Sequence, residues 1–156
     1  MTYPFPTDPK AIWTPRDICA LLCSDGYMSP NDWRPITACA VVLGESGGNP
    51  LALGKLVYKP ESPAHLSIDL GMFQINSYWQ VANDPYPTVP RISWADTFDP
   101  RAAWAHTWRV INHTRTGWHY DWSKWVAYTS GAYDRHMSAA RRGLNEYRDT
   151  LGLDPL

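Results

Sequence analysis

The run Ile36-Thr37-Ala38-Cys39-Ala40-Val41-Val42-Leu43 constrains this chain more than any other stretch. It is apolar on every side, so the element it forms is buried, as a helix or as a strand. Pro35 at a first-turn position and the alanines favour a helix. The run stops at Gly44-Glu45-Ser46-Gly47-Gly48-Asn49-Pro50, where glycine and proline punctuate the chain. A glutamate therefore stands where a buried element ends. Residues 47 to 66 follow as a long loop with Pro50, Gly54, Pro60 and Pro63, and long loops in compact domains tend to be functional. Then comes Ser67-Ile68-Asp69-Leu70-Gly71-Met72-Phe73-Gln74-Ile75-Asn76-Ser77-Tyr78-Trp79, expected as a short hairpin or turn leading into a helix near Ser77.

The remaining segments read as helices and connections. Residues 1 to 13 are proline-rich and form an extended arm. Thr14-Pro15 supplies an N-cap and first helical position for a helix through Ile18, Leu21 and Leu22 to about Ser24. A second loop, residues 83 to 98, carries Pro85, Pro87 and Pro90. Asp99-Pro100 caps a helix whose stripe is Trp104, Trp108 and Ile111, which reads as core. Trp118 to Tyr133 is an aromatic-rich turn and short helix. The final helix carries Met137, Ala140, Leu144, Tyr147 and Leu151 on one face. A length of 156 residues suits a single domain, 1–156, mainly α with a small irregular or β insertion.

Several function classes are disfavoured. A net charge of −1 leaves no electrostatic footprint for nucleic acid or anionic membrane. No apolar run approaches the roughly 18 residues that span a bilayer. Met1 to Pro6 has neither a basic nor an apolar leader region, so no signal peptide is expected and synthesis in the cytosol is. Cys19, Cys23 and Cys39 are odd in number, and the first two are badly spaced for a bridge, so three thiols in a reducing compartment are expected. The five histidines lack metal-site spacing, and no metal or cofactor is implied. His65, beside the second motif, is read as loop decoration.

Gly44-Glu45-Ser46-Gly47-Gly48 satisfies the G-x-S-x-G nucleophile pattern, but that elbow needs a helix after the serine. Gly47-Gly48-Asn49-Pro50 cannot start one cleanly. The chymotrypsin order fails as well, since the first histidine, His65, lies after Ser46. Glu45 is the stronger candidate. Burial penalises its carboxylate and the negative end of a helix dipole does the same, which keeps a carboxylic acid available as a general acid. A glutamate snorkelling at a helix end has an equal claim. Asp69, among Ser67, Gln74, Asn76 and Ser77, has a polar setting that suits a second carboxylate or an Asx-turn. Gln74 and Asn76 alternate with Phe73 and Ile75, so both are expected to face one cleft. Nine tryptophans and nine tyrosines against three phenylalanines add rings that stack on sugars, with Trp79, Trp94, Trp118 and Trp122 as candidate platforms.

Glu45-Ser46-x-x-Asn49 followed by Ser67-x-Asp69-x-Gly71-x-x-Gln74-Ile75-Asn76-Ser77-x-Trp79 resembles the lysozyme superfamily, both c-type lysozymes and soluble-lytic-transglycosylase-like domains. Ala127-Tyr128-Thr129-Ser130-Gly131 is similar to the A-Y-N-A-G segment of the transglycosylase-like branch, with Thr-Ser in place of Asn-Ala. Phe98 to Tyr133 looks most like lysozyme-like domains of phages infecting actinobacteria. The resemblance, over roughly residues 36 to 135, implies an α+β lysozyme-like fold with Glu45 and Asp69 facing each other across a sugar cleft. It implies Glu45 as general acid, Asp69 as nucleophile or stabiliser, and Ser46, Gln74, Asn76, Trp79, Tyr128 and Tyr133 as sugar-binding residues. The implied function is a monomeric peptidoglycan muramidase cutting between N-acetylmuramic acid and N-acetylglucosamine, as a phage endolysin. Two alternatives stand beside it: a lytic transglycosylase making 1,6-anhydro products, and a non-catalytic glycan-binding or virion structural protein. The secreted c-type disulfide set is missing and the Glu45 to Asp69 loop is longer than theirs.

Overall fold

Helix α1 (Pro15–Leu22) starts on a capping box: the Thr14 side chain accepts the Asp17 N–H, and the Asp17 carboxylate reaches back to the Thr14 N–H. Two orphan donors of the first turn are thereby satisfied. The computed structural model describes residues 3–58, 66–77, 91–112, 122–123 and 125–156. They fall into two units, one of Met1–Asn49 with Trp122–Leu156 and one of Pro50–Asp121. Trp79, Trp118, His65 and the helix expected beyond Ser77 lie outside the described residues.

The first unit is helical. After α1, a 3-10 turn (Ser24–Gly26) leads to α2 (Arg34–Ser46), the apolar run of the sequence, with Pro35 in its first turn. The helix runs through Gly44 and Glu45 to Ser46, further than the glycine-rich motif suggests. Gly47 then takes a left-handed conformation (φ 63°) and donates its N–H to the Leu43 carbonyl, the geometry of a glycine C-cap. A short helix α4 (Val126–Thr129), a 3-10 turn (Ala132–His136) and α5 (Met137–Thr150) complete the unit. Ile18, Cys19, Leu21, Leu22, Ile36, Cys39, Val41, Val42, Ala140 and Leu144 form its core. The arm is tied down by Tyr3, which donates to Asp17 and packs edge-on against Tyr147, and by Phe5 stacked on Trp13. Leu151, expected on the buried face of α5, falls beyond the helix and is exposed; Gly143 and Arg148 are buried instead.

The second unit holds the β structure. Strands β1 (Val57–Tyr58) and β2 (Leu66–Ser67) pair antiparallel, as do β3 (Asp69–Leu70) and β4 (Ile75–Asn76). The segment 52–54 flanks β3 on its other side, through Gly54 N–H to Asp69 O and Gly71 N–H to Ala52 O, both 2.8 Å. Gly71 opens the β3–β4 turn at φ 72°, and a Cβ there would stand 1.9 Å from the Thr97 carbonyl oxygen, so no other residue fits. A 3-10 turn (Ala95–Phe98) precedes α3 (Pro100–Asn112), whose first N–H groups are capped by the Asp99 carboxylate. Trp104 is fully buried and stacks on Phe73, which joins helix to hairpin; Leu70, Met72, Ile75 and Ile111 fill the space around them. The mainly α, α+β expectation holds, with very short strands.

All three cysteines are free thiols, Cys19 and Cys39 buried. Burial pushes the half-buried Cys23 thiol well above its ordinary range. Among the described residues no helix is long and apolar enough to cross a membrane.

Candidate active site

Glu45 lies in the last turn of α2, half-buried, and its Oε1 accepts the backbone N–H of Ala127 at 2.6 Å. Ala127 is the second residue of α4, where an N–H has no partner within its own helix. Trp125, at the N-cap, supplies no side-chain acceptor. Glu45 fills the role of the missing cap across 82 positions of sequence. The environment is mixed electrostatically. The carbonyl end of α2 disfavours an anion at Glu45, whereas the Ala127 N–H favours one on Oε1.

The chain beyond Glu45 is held tightly. Ser46 donates its hydroxyl to the Val42 carbonyl and accepts the Gly48 N–H, so its oxygen is a helix-end cap and is not poised beside a base as a nucleophile is. The Gly48 carbonyl takes the Trp13 N–H at 2.9 Å, which fastens the arm to the end of α2. Tyr128 and Tyr133 stack at 5.2 Å, and Tyr128 is 38% exposed. Burial, and then the Asp134 carboxylate, push the Tyr133 phenol above its ordinary value, so it is a neutral hydrogen-bonding group around pH 7.

In the second unit, Asp69 sits directly opposite Asn76 in the hairpin register, and Asn76 Nδ2 donates to Asp69 Oδ1 at 2.7 Å. Ser77 extends the pairing, giving its N–H to the Ile68 carbonyl and taking the Ile68 N–H on its hydroxyl. Gln74 is not on a strand. It occupies the turn with φ 49°, and its amide donates to the Gly71 carbonyl at 2.9 Å and the Ala52 carbonyl at 3.4 Å. A turn residue does not follow the two-residue period of a strand, so strand alternation does not set where the Gln74 side chain lies. Its Oε1 and the Asp69 Cβ lie 2.8 Å and 2.9 Å from where a Cβ at Gly54 would stand. Among the tryptophans, Trp94 is exposed, whereas Trp122 is buried with its ring edge-on to Trp125. Trp122 is therefore a packing residue, a correction to its expectation as a sugar platform.

Residues 29–127 match the family described as Lysozyme like domain. The chain belongs to this lysozyme-like family. No curated protein matches the chain. Among solved structures, it is similar to a lysozyme from Litopenaeus vannamei, with 24% identity and a TM-score of 0.54. That similarity covers 83% of this chain and 97% of the other, and at such identity it concerns the fold.

The matched span of the lysozyme-like domain contains Glu45, Ser46, Asp69, Gln74, Asn76 and Trp79 and ends on Ala127, so Tyr128 and Tyr133 lie just past it. Two features of the site escape sequence reasoning. The backbone N–H that anchors Glu45 has no side-chain signature at all. The donor on Asp69 is a candidate sugar ligand, Asn76, and the only sequence signal for that pairing is the hairpin register itself. Among the described residues no group of His, Cys, Asp or Glu could hold a metal ion.

Proposed function

We propose that this lysozyme-like domain is a muramidase, hydrolysing the peptidoglycan bond between N-acetylmuramic acid and N-acetylglucosamine. Family membership supports a peptidoglycan-acting glycosidase or transglycosylase in general. The observation that carries the proposal is Glu45, a carboxyl at the end of a buried helix whose Oε1 is held by the Ala127 N–H. A general acid needs a fixed direction. With Oε1 engaged as an acceptor, the acid form carries its proton on Oε2, and the group cannot rotate without losing the Ala127 bond. Glu45 gives that proton to the glycosidic oxygen as the bond to the anomeric carbon breaks. It then deprotonates the water that completes hydrolysis. Asp69 supplies the second carboxylate, which stabilises or traps the cationic sugar. Ser46, Gln74, Asn76, Trp79, Tyr128 and Tyr133 are the proposed sugar-binding residues, with the stacked tyrosines offering an aromatic face.

The test is clearing of purified cell wall by wild type against Glu45→Gln. Loss of about 10²- to 10⁴-fold in rate is expected, the range for removing a general acid. Equal clearing by both proteins overturns the assignment, and wall binding without clearing by wild type converts the domain to a binding module.

A second reading, lytic transglycosylase, has its own support. Glu45 is held by the segment similar to the transglycosylase-like branch, and Asp69 has a hairpin partner of its own. There Glu45 alone acts as acid and then base, taking the proton of the sugar C6 hydroxyl as that oxygen closes on the anomeric carbon. Mass spectrometry separates the two: reducing ends mean hydrolysis, 1,6-anhydro ends mean transglycosylation. We propose that residues 1–156 act as a single monomeric catalytic domain, that of a phage endolysin. Its three free thiols fit synthesis in a reducing cytosol before release onto the wall.

A further inference from the structure

Gly44 lies inside α2 with ordinary helical backbone, so no turn or left-handed conformation accounts for a glycine there. Glycine is the poorest residue after proline for a helix interior. Packing accounts for it. A Cβ at position 44 would stand 2.9 Å from the Ala127 Cβ, 3.7 Å from His136 Cδ2 and 3.8 Å from Tyr133 Cα. The start of α4 and the 3-10 turn after it therefore rest on the α2 backbone at this point. The next residue of α2 is Glu45, and its Oε1 accepts the N–H of the same Ala127. The Cβ and N–H of Ala127 hang on one Cα, so a single approach sets both contacts.

We infer that Gly44 is a positioning residue for Glu45: by presenting no side chain, it admits Ala127 closely enough for its N–H to fix the carboxyl group. The inference rests on Glu45 being the acid. A methyl at 44 would need roughly 1 Å more room to reach ordinary carbon–carbon contact. Moving Ala127 by that much stretches the 2.6 Å bond to Glu45 out of hydrogen-bonding range. The carboxyl would then lose the anchor that Ala127 gives it.

Two variants test this, Gly44→Ala and the swapped pair Gly44→Ala with Ala127→Gly, assayed for kcat and KM on soluble peptidoglycan oligomers. The single variant is expected to lose about 10- to 100-fold in kcat, a larger change than any in KM, the signature of a misplaced catalytic group. The pair moves the methyl from one side of the contact to the other and is expected to regain most of that loss. Wild-type kcat in a folded Gly44→Ala protein overturns the inference, as does a folded pair no better than the single variant. If the single variant does not fold, the pair decides alone: kcat within about fivefold of wild type supports the role, and a loss of tenfold or more in a folded pair overturns it. Glu45→Gln keeps the two levels apart. An active Glu45→Gln removes the catalytic reading itself, whereas an inactive one beside a fully active Gly44→Ala removes only the positioning role.

Discussion

Thr107 shows what a single polar atom costs in this core. Its side chain is fully buried on α3, and its hydroxyl has no hydrogen-bond partner among the described residues. A buried, unpaired hydroxyl forfeits its water bonds without replacement, a cost of about 1–3 kcal/mol. Valine has the same shape and similar helix propensity, so little else changes. Thr107→Val is expected to stabilise the protein by about 1 kcal/mol, or roughly 2–4 °C in Tm for a chain of this size. Thermal unfolding followed by circular dichroism checks it. A lower Tm would mean that the hydroxyl has a partner after all. Glu45 is the opposite case at the same scale, a buried-helix carboxyl whose oxygen is matched to a donor that also lacks a partner in its own helix.

At the scale of elements, α1 depends on its capping box. Burial pushes the Asp17 carboxyl upward, but donation from the Thr14 hydroxyl, the Tyr3 phenol and the Thr14 N–H outweighs it and holds the group below its ordinary value. A carboxyl depressed on folding contributes stability that is complete above the unfolded value, near 4, and lost as pH falls through the lower folded one. Asp17→Asn is therefore expected to cost about 1–2 kcal/mol at pH 7, with the gap to wild type closing below about pH 4. Urea titrations at pH 7 and pH 3 measure both, and a gap that is unchanged at pH 3 would rule out the charged form as the source. This cap is also a case of what sequence makes legible. Thr14-Pro15, Asp99-Pro100 and the apolar run from Ile36 announce three helices, because caps and periodicity act over a few residues. The end of α2 is less legible, since Gly44 reads as a breaker but lies inside the helix, where a Cβ would meet Ala127. Leu151 fits the α5 stripe by spacing, yet the helix ends at Thr150 and the period no longer applies. The hairpin's partners, Asp69 with Asn76, and the turn conformation of Gln74 follow from register, which two-residue strands specify weakly.

At the scale of the whole molecule, the first unit is assembled from both ends of the chain. Its α5 comes last in sequence but covers α1, which comes first. A Cβ at Gly143 would stand 2.5 Å from the Pro15 carbonyl carbon and 2.8 Å from the Arg16 nitrogen, so two helices meet there backbone to backbone. The Cys19 thiol donates to the Ala140 carbonyl nearby, and Arg148 bonds the Pro30 carbonyl and the Asn31 side chain. Arg148 is buried without an acidic partner in these contacts, its charge met by carbonyl oxygens, which demands that α5 sit in one register. Such contacts span more than a hundred residues, so the core around Ile18 and Leu22 closes only when the last helix docks. Gly143→Ala separates this from simple helix propensity. Alanine improves an isolated helix by about 1 kcal/mol, but here its methyl meets rigid backbone and not a flexible side-chain end. A net loss of about 2 kcal/mol is expected, because overpacking against backbone forces the helices apart. It should also slow refolding, since the docking of α5 on α1 is the long-range step. Equilibrium denaturation and stopped-flow refolding read the two effects together. A variant more stable than wild type would show that α1 and α5 have room to spare and that the closure of this unit does not turn on Gly143.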